Sequence, residues 1–143
     1  MSDIEEQIRQ IFEGYKTAVF EKNVEAFLAL YDENIHLFDM WEKWSYNGKD
    51  AWREMVSNWF GSLGDEKVVV DFDSLTVTAT NEIAVVHTFV TYKAVASNGN
   101  ELRSMNNRLT AALKKSNGTW KIFHEHSSAP LDGNTLNATL QRQ

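Results

Sequence analysis

Leu113–Pro130 reads LKKSNGTWKIFHEHSSAP, and the way this segment folds back decides the architecture. Asn117-Gly118 sits between two runs of strand-forming residues, which is the composition of a two-residue hairpin turn. With those two residues at the centre of the turn, the ladder pairs Leu113 with Ile122, Ala111 with His124 and Leu109 with His126, and sets Arg108 opposite Ser127. Side chains alternate across a strand, so Trp120, Ile122, His124 and His126 share a face with Met105, Leu109, Ala111 and Leu113. Phe123, Glu125 and Ser127 share the other with Arg108 and Thr110. A three-residue turn with a bulge exchanges these partners; the two-residue turn keeps the apolar residues together and is the register adopted. Neither face is one that water would cover, so the sheet needs helices on one side and a second copy of the chain on the other. A homodimer through the outer face of the sheet is therefore expected.

Upstream, the same sheet continues. KVVVDF, SLTVTAT, IAVVHTFVTYKAV and ELRSMNNRLTAALK are strand-like runs separated by TNE and SNGN, giving hairpins and a mainly antiparallel sheet. Before Lys67 the period is helical. Ile4, Ile8, Ile11, Phe12, Tyr15 and Val19 form the apolar stripe of a long first helix that starts at Ser2/Asp3. Asn23 caps a short second helix carrying Val24, Phe27, Leu28 and Tyr31, which YDEN ends ahead of the strand IHLFD. After the loop MWEKWSYNGKD, a third helix from Asp50 buries Trp52, Met55, Val56, Trp59 and Phe60 and stops at GSLGD. Helices first and strands afterwards define an α+β fold, three helices packed on one face of a strongly curved sheet. Residues 1–132 form the single domain and 133–143 a polar tail with little to bury.

The chain has 143 residues, 43% hydrophobic, 12% aromatic and without cysteine. That suffices for one core and excludes disulfides, thiolate metal sites and a cysteine nucleophile. The polar start MSDIEEQIRQ and the lack of a long apolar run imply a cytoplasmic protein away from membranes. A formal charge of −6 with no basic cluster argues against nucleic acid as a partner.

RLTAALKKSNGTWKIFHEHSSAPLD, with LYDENIHLFDMW and YNGKDAW upstream, resembles the SnoaL-like proteins of the nuclear transport factor 2-like superfamily across Ile4 to Asp132. The resemblance implies a cone whose helices close the mouth of a bent sheet around a pocket, with dimers formed through the sheet's outer face. Ketosteroid isomerases and polyketide cyclases are similar at the level of fold. By position relative to YDENIHLFD, Tyr15 and Asp39 match the isomerase's helix tyrosine and its general-base aspartate. The isomerase's third group, a protonated aspartic acid on a late strand, is unmatched: that strand reads MNNRLTA, with Arg108 near the place. A permanent cation there favours an anionic ligand over a neutral ketone. The association domain of calcium/calmodulin-dependent protein kinase is similar as well, through its W…H.H…S…AP ending.

The candidate catalytic residues are thus Asp39, Tyr15 and Arg108. Asp39 follows an apolar strand, where apolar walls raise a carboxylate's pKa and let it shuttle a proton. Arg108 and Glu125, diagonal in the ladder, either satisfy one another or await a ligand carboxylate. The cavity face that the resemblance assigns to AVVHTFVTY carries His87 and Phe89; Trp41, Tyr46, Trp52, Met55, Phe123 and Ser127 complete the expected pocket. The H-x-H of His124 and His126 aims two imidazoles one way, as a metal site requires, but Glu125 points away from them and His87 belongs to the cavity. No metal and no cofactor is expected, and His124 and His126 go with Trp120 and Ile122 to the dimer interface, or to the pocket if the strand faces the other way. Ser127 and Ser128 lie on a strand and its exit without a nucleophile elbow, which argues against a Ser-His-Asp hydrolase. Two functions remain open: a cofactor-independent isomerase, cyclase or dehydratase acting on a carbonyl or acidic compound, and a non-catalytic binding or oligomerisation module.

Overall fold

The computed structural model describes residues 3–142. Helix α1 (Asp3–Glu21) opens with Asp3, Glu5 and Glu6 in its first turn, where acidic side chains meet the positive end of the helix dipole. Its expected Ser2 start lies outside the described residues. The periodic stripe is the buried one: Ile8, Phe12, Tyr15, Ala18 and Val19 face the core. Helix α2 (Val24–Leu28) is one short turn held by its cap, the Asn23 side chain accepting the Ala26 N–H at 3.0 Å. Helix α3 (Lys49–Ser62) buries Trp52, Val56 and Phe60. Phe27 joins the helices to the sheet, with Tyr15, Tyr31, Trp52, Trp59 and Phe60 rings 4.8 to 6.5 Å from its own.

Six strands form one sheet: β1 (Tyr31–Phe38), β2 (Tyr46–Asn47), β3 (Lys67–Ala79), β4 (Ile83–Val95), β5 (Glu101–Ser116) and β6 (Thr119–Ser128), in the order β2-β1-β6-β5-β4-β3. All pairings are antiparallel except β1 with β6. Three details differ from the sequence reading. YDEN does not end α2 but begins β1, because Tyr31 is 1% exposed and pairs with Ile122. KVVVDF and SLTVTAT are one strand, kinked between Asp73 and Thr76 with Ser74 at φ 58°. The tail, though mostly exposed, is tied down: Leu140 O accepts the Asn106 N–H at 2.7 Å along the edge of β5 that β6 leaves free. Arg142 then crosses to the outer face, 2.7 Å from Asp73 and 3.8 Å over the Phe89 ring. This strap runs from the inner side of the sheet to the outer.

The β5–β6 hairpin departs from the expected register. Asn117 and Gly118 both have positive φ, 52° and 78°, as a two-residue turn of the primed type requires, and Leu113 pairs with Ile122 as expected. One residue later the ladder slips: Ala112 pairs with His124, Ala111 with Glu125, Thr110 with His126 and Arg108 with Ser128. Phe123 is the extra residue of a bulge, and a bulge reverses the alternation of everything beyond it. Trp120, Ile122, Glu125 and Ser127 are consequently buried on the helix side, while His126 is exposed and His124 half-buried on the other.

Candidate functional site

Between α3, the β1–β2 loop and the inner surfaces of β4, β5 and β6 lies a cavity of about 870 Å³, within the range of small-molecule sites. Of the expected pocket residues, Tyr15, Asp39, Trp41, Tyr46, Trp52, Met55, Glu125 and Ser127 line it. Asp39 leaves β1 at the cavity wall. Its Oδ1 accepts the Ser127 hydroxyl at 3.1 Å and its Oδ2 the Trp41 N–H at 3.2 Å, and Ser127 is itself fixed by the Met40 N–H at 3.1 Å. Burial raises the Asp39 pKa, with the Trp41 and Ser127 donors opposing the rise.

Glu125 is 5% exposed and accepts the Tyr31 hydroxyl at 2.7 Å. Burial pushes its carboxyl up to about 7; the Tyr31 hydrogen bond holds it down, and the nearby Asp39 charge adds to the rise. The Tyr15 and Tyr92 hydroxyls share a hydrogen bond of 2.9 Å. Burial raises the pKa of Tyr15, Tyr31 and Tyr92, so all three are neutral hydroxyls at any physiological pH. The site thus combines two carboxylates, whose pKa burial raises, with neutral donors and aromatic walls, which suits proton transfer to and from an uncharged group.

Other expected pocket residues lie elsewhere. Arg108, His87 and Phe89 sit on the outer face, in a shallow groove with His126 and Ser128, and Arg108 Nε donates to Ser128 Oγ at 2.8 Å. The inward residues of β4 are Ala84, Val86, Thr88 and Val90, so the cavity set of that strand is the one out of phase with His87. The Arg108–Glu125 pair does not form because the bulge places the two residues on opposite faces. Phe123 lies outside the cavity beneath the Lys114 ammonium, 5.5 Å from its ring. Trp120 and Ile122 are core, at 3% and 0% exposure, with the Trp120 indole N–H donating to Gln7 Oε1 at 3.1 Å. His124 and His126 stack edge-on against Phe38, 5.0 and 5.5 Å away, and among the described residues no group of three or more His, Asp or Glu is arranged to hold a metal ion.

Several contributors are not among the residues expected from sequence. Tyr31 was hidden in a segment read as a helix end. Tyr92 was legible, since it continues the even-numbered inward set of β4. Asn107, whose Oδ1 is buried without a hydrogen-bond partner, follows from the corrected β5 phase. Leu140, at the cavity mouth, carries no local signal.

Residues 8–132 match the SnoaL-like domain family, and the chain belongs to it. Among solved structures, an NTF2-like protein of unknown function from Pseudomonas putida KT2440 is similar with a TM-score of 0.86 and 26% identity, over 98% of this chain and 96% of that one. A proposed scytalone dehydratase from Novosphingobium aromaticivorans shares the fold at TM-score 0.76 and 13% identity, over 96% and 91% of the two chains. A proposed calcium/calmodulin-dependent protein kinase II association domain from Xanthomonas campestris shares it at 0.73 and 19%, over 86% and 85%. No curated protein matches the sequence. No helix among the described residues is long and apolar enough to cross a membrane.

Proposed function

We propose that the chain is a cofactor-independent proton-transfer enzyme of the isomerase, cyclase or dehydratase kind, acting on a ring-sized carbonyl compound in the cone cavity. The observation that carries this reading is Asp39: a half-buried carboxylate, hydrogen-bonded to Ser127 and facing an aromatic-walled space. Asp39 takes the proton from carbon next to the substrate carbonyl. The negative charge that develops on oxygen is met by a neutral donor, the Tyr15–Tyr92 hydroxyl pair, which costs no reorganisation because it is already in place. Arg108 has no part in this scheme, and with it goes the support for an acidic ligand. Similarity of fold to a proposed dehydratase supports the class without assigning the reaction.

The test uses 2-tetralone, a bicyclic ketone with acidic protons flanking the carbonyl, in heavy water. The wild-type protein should accelerate exchange of those protons, followed by NMR, and Asp39→Asn should reduce the acceleration by about a hundredfold or more. No acceleration by the wild type, or full activity in Asp39→Asn, sinks the proposal.

A further inference from the structure

With Arg108 turned outward, the charge inside the cavity changes sign. The lining contains four carboxylates, Asp39, Glu42, Glu54 and Glu125, against two cations, Lys43 and Arg103. Both cations are already engaged: Lys43 lies 5.6 Å over the Tyr46 ring, and Arg103 pairs with Glu66 at 2.7 Å. Among the described residues, Asp39 and Glu125 are served only by hydroxyl and backbone N–H donors. A buried and a half-buried carboxylate around one space, with no cation on them among the described residues, form an arrangement that a positive ligand group stabilises and a negative one opposes. The Trp41, Trp59 and Tyr92 rings line the same space, and ring faces attract cations.

We propose that the cavity selects a ring-bearing organic cation, a protonated amine whose nitrogen is received at the Glu125 carboxylate and whose rings lie against the aromatic wall. The proposal rests on the cavity being the ligand site; the carbonyl substrate inferred above then also carries a basic nitrogen. The groups around Glu125 are Tyr15 from α1, Tyr31 and Asp39 from β1 and its exit, and Tyr92 from β4. Glu54 from α3 and Arg103 from β5 line the cavity further out. The tyrosines stay neutral and Arg103 stays charged, and the carboxyl that titrates near pH 7 is that of Glu125.

Three probes share one skeleton and differ in charge: 2-aminotetralin, 2-tetralone and tetralin-2-carboxylic acid. Titrated against the wild-type protein by tryptophan fluorescence at about pH 8, the amine should bind about tenfold more tightly than the ketone and roughly a hundredfold more tightly than the acid. Lowering the pH to about 6 should weaken the amine several-fold by protonating Glu125. Glu125→Gln, which keeps the Tyr31 hydrogen bond and whose folding is checked by its melting curve, should flatten that pH dependence. A ketone or acid that binds as tightly as the amine overturns the inference, and the wild-type series decides this without any variant. Proton exchange in 2-tetralone without amine preference removes this inference alone. Amine preference without exchange removes the proton-transfer reading alone.

Discussion

At the scale of the residue, Glu125 concentrates what is unusual here. A carboxylic acid whose folded-state pKa stands above its unfolded one keeps its proton more firmly when native. The native state is therefore favoured most below the ordinary glutamate pKa, and the advantage is lost as pH rises through the folded value of about 7. For a group this buried the difference amounts to as much as about 3 kcal/mol. Wild-type stability should fall between about pH 5 and 8 relative to Glu125→Gln, whose amide carries no proton to lose; denaturant melts at both pH values measure it. Parallel curves for the two proteins would show that Glu125 ionises without cost. Asp39 and Tyr15 were legible because they stand at fixed places relative to YDENIHLFD. Arg108 and His87 were misplaced because their faces depend on strand phase, which no single residue records.

Elements were more legible than faces. The helices, the span of β4 and the Asn117-Gly118 turn follow from local composition. The bulge at Phe123 does not, because its cause is tertiary: Glu125 must reach Tyr31, and Ser127 must reach Asp39, both from β1. The turn makes a local prediction. Gly118→Ala places a Cβ at φ 78° and should cost about 1 to 2 kcal/mol in a denaturant melt; an unchanged midpoint would mean that the turn relaxes without strain. Phe27, fully buried among five aromatic rings, should cost about 3 to 5 kcal/mol as Phe27→Ala. A loss under about 1 kcal/mol would show the helices docking without it.

At the scale of the whole molecule, the outer face of the sheet exposes Ile83, Val85, Phe89 and Phe38 at 37 to 46%, the expectation from two apolar sheet faces. We infer that a second copy covers it. Light scattering at micromolar concentration should give about twice 16.4 kDa, and Val85→Asp should return the monomer while leaving cavity binding intact. A sharp monomer mass for the wild type counts against pairing. The strand order has a further consequence for biosynthesis. Asp39 is made early and its partner Ser127 is 88 positions later, and β1 joins the long strands of the sheet only through β6. On the ribosome, the carboxylate end of the cavity cannot be assembled until the last strand has left the exit tunnel. Until then Tyr31 lacks its β6 partners Ile122 and Glu125, so its ring stays uncovered while the chain grows.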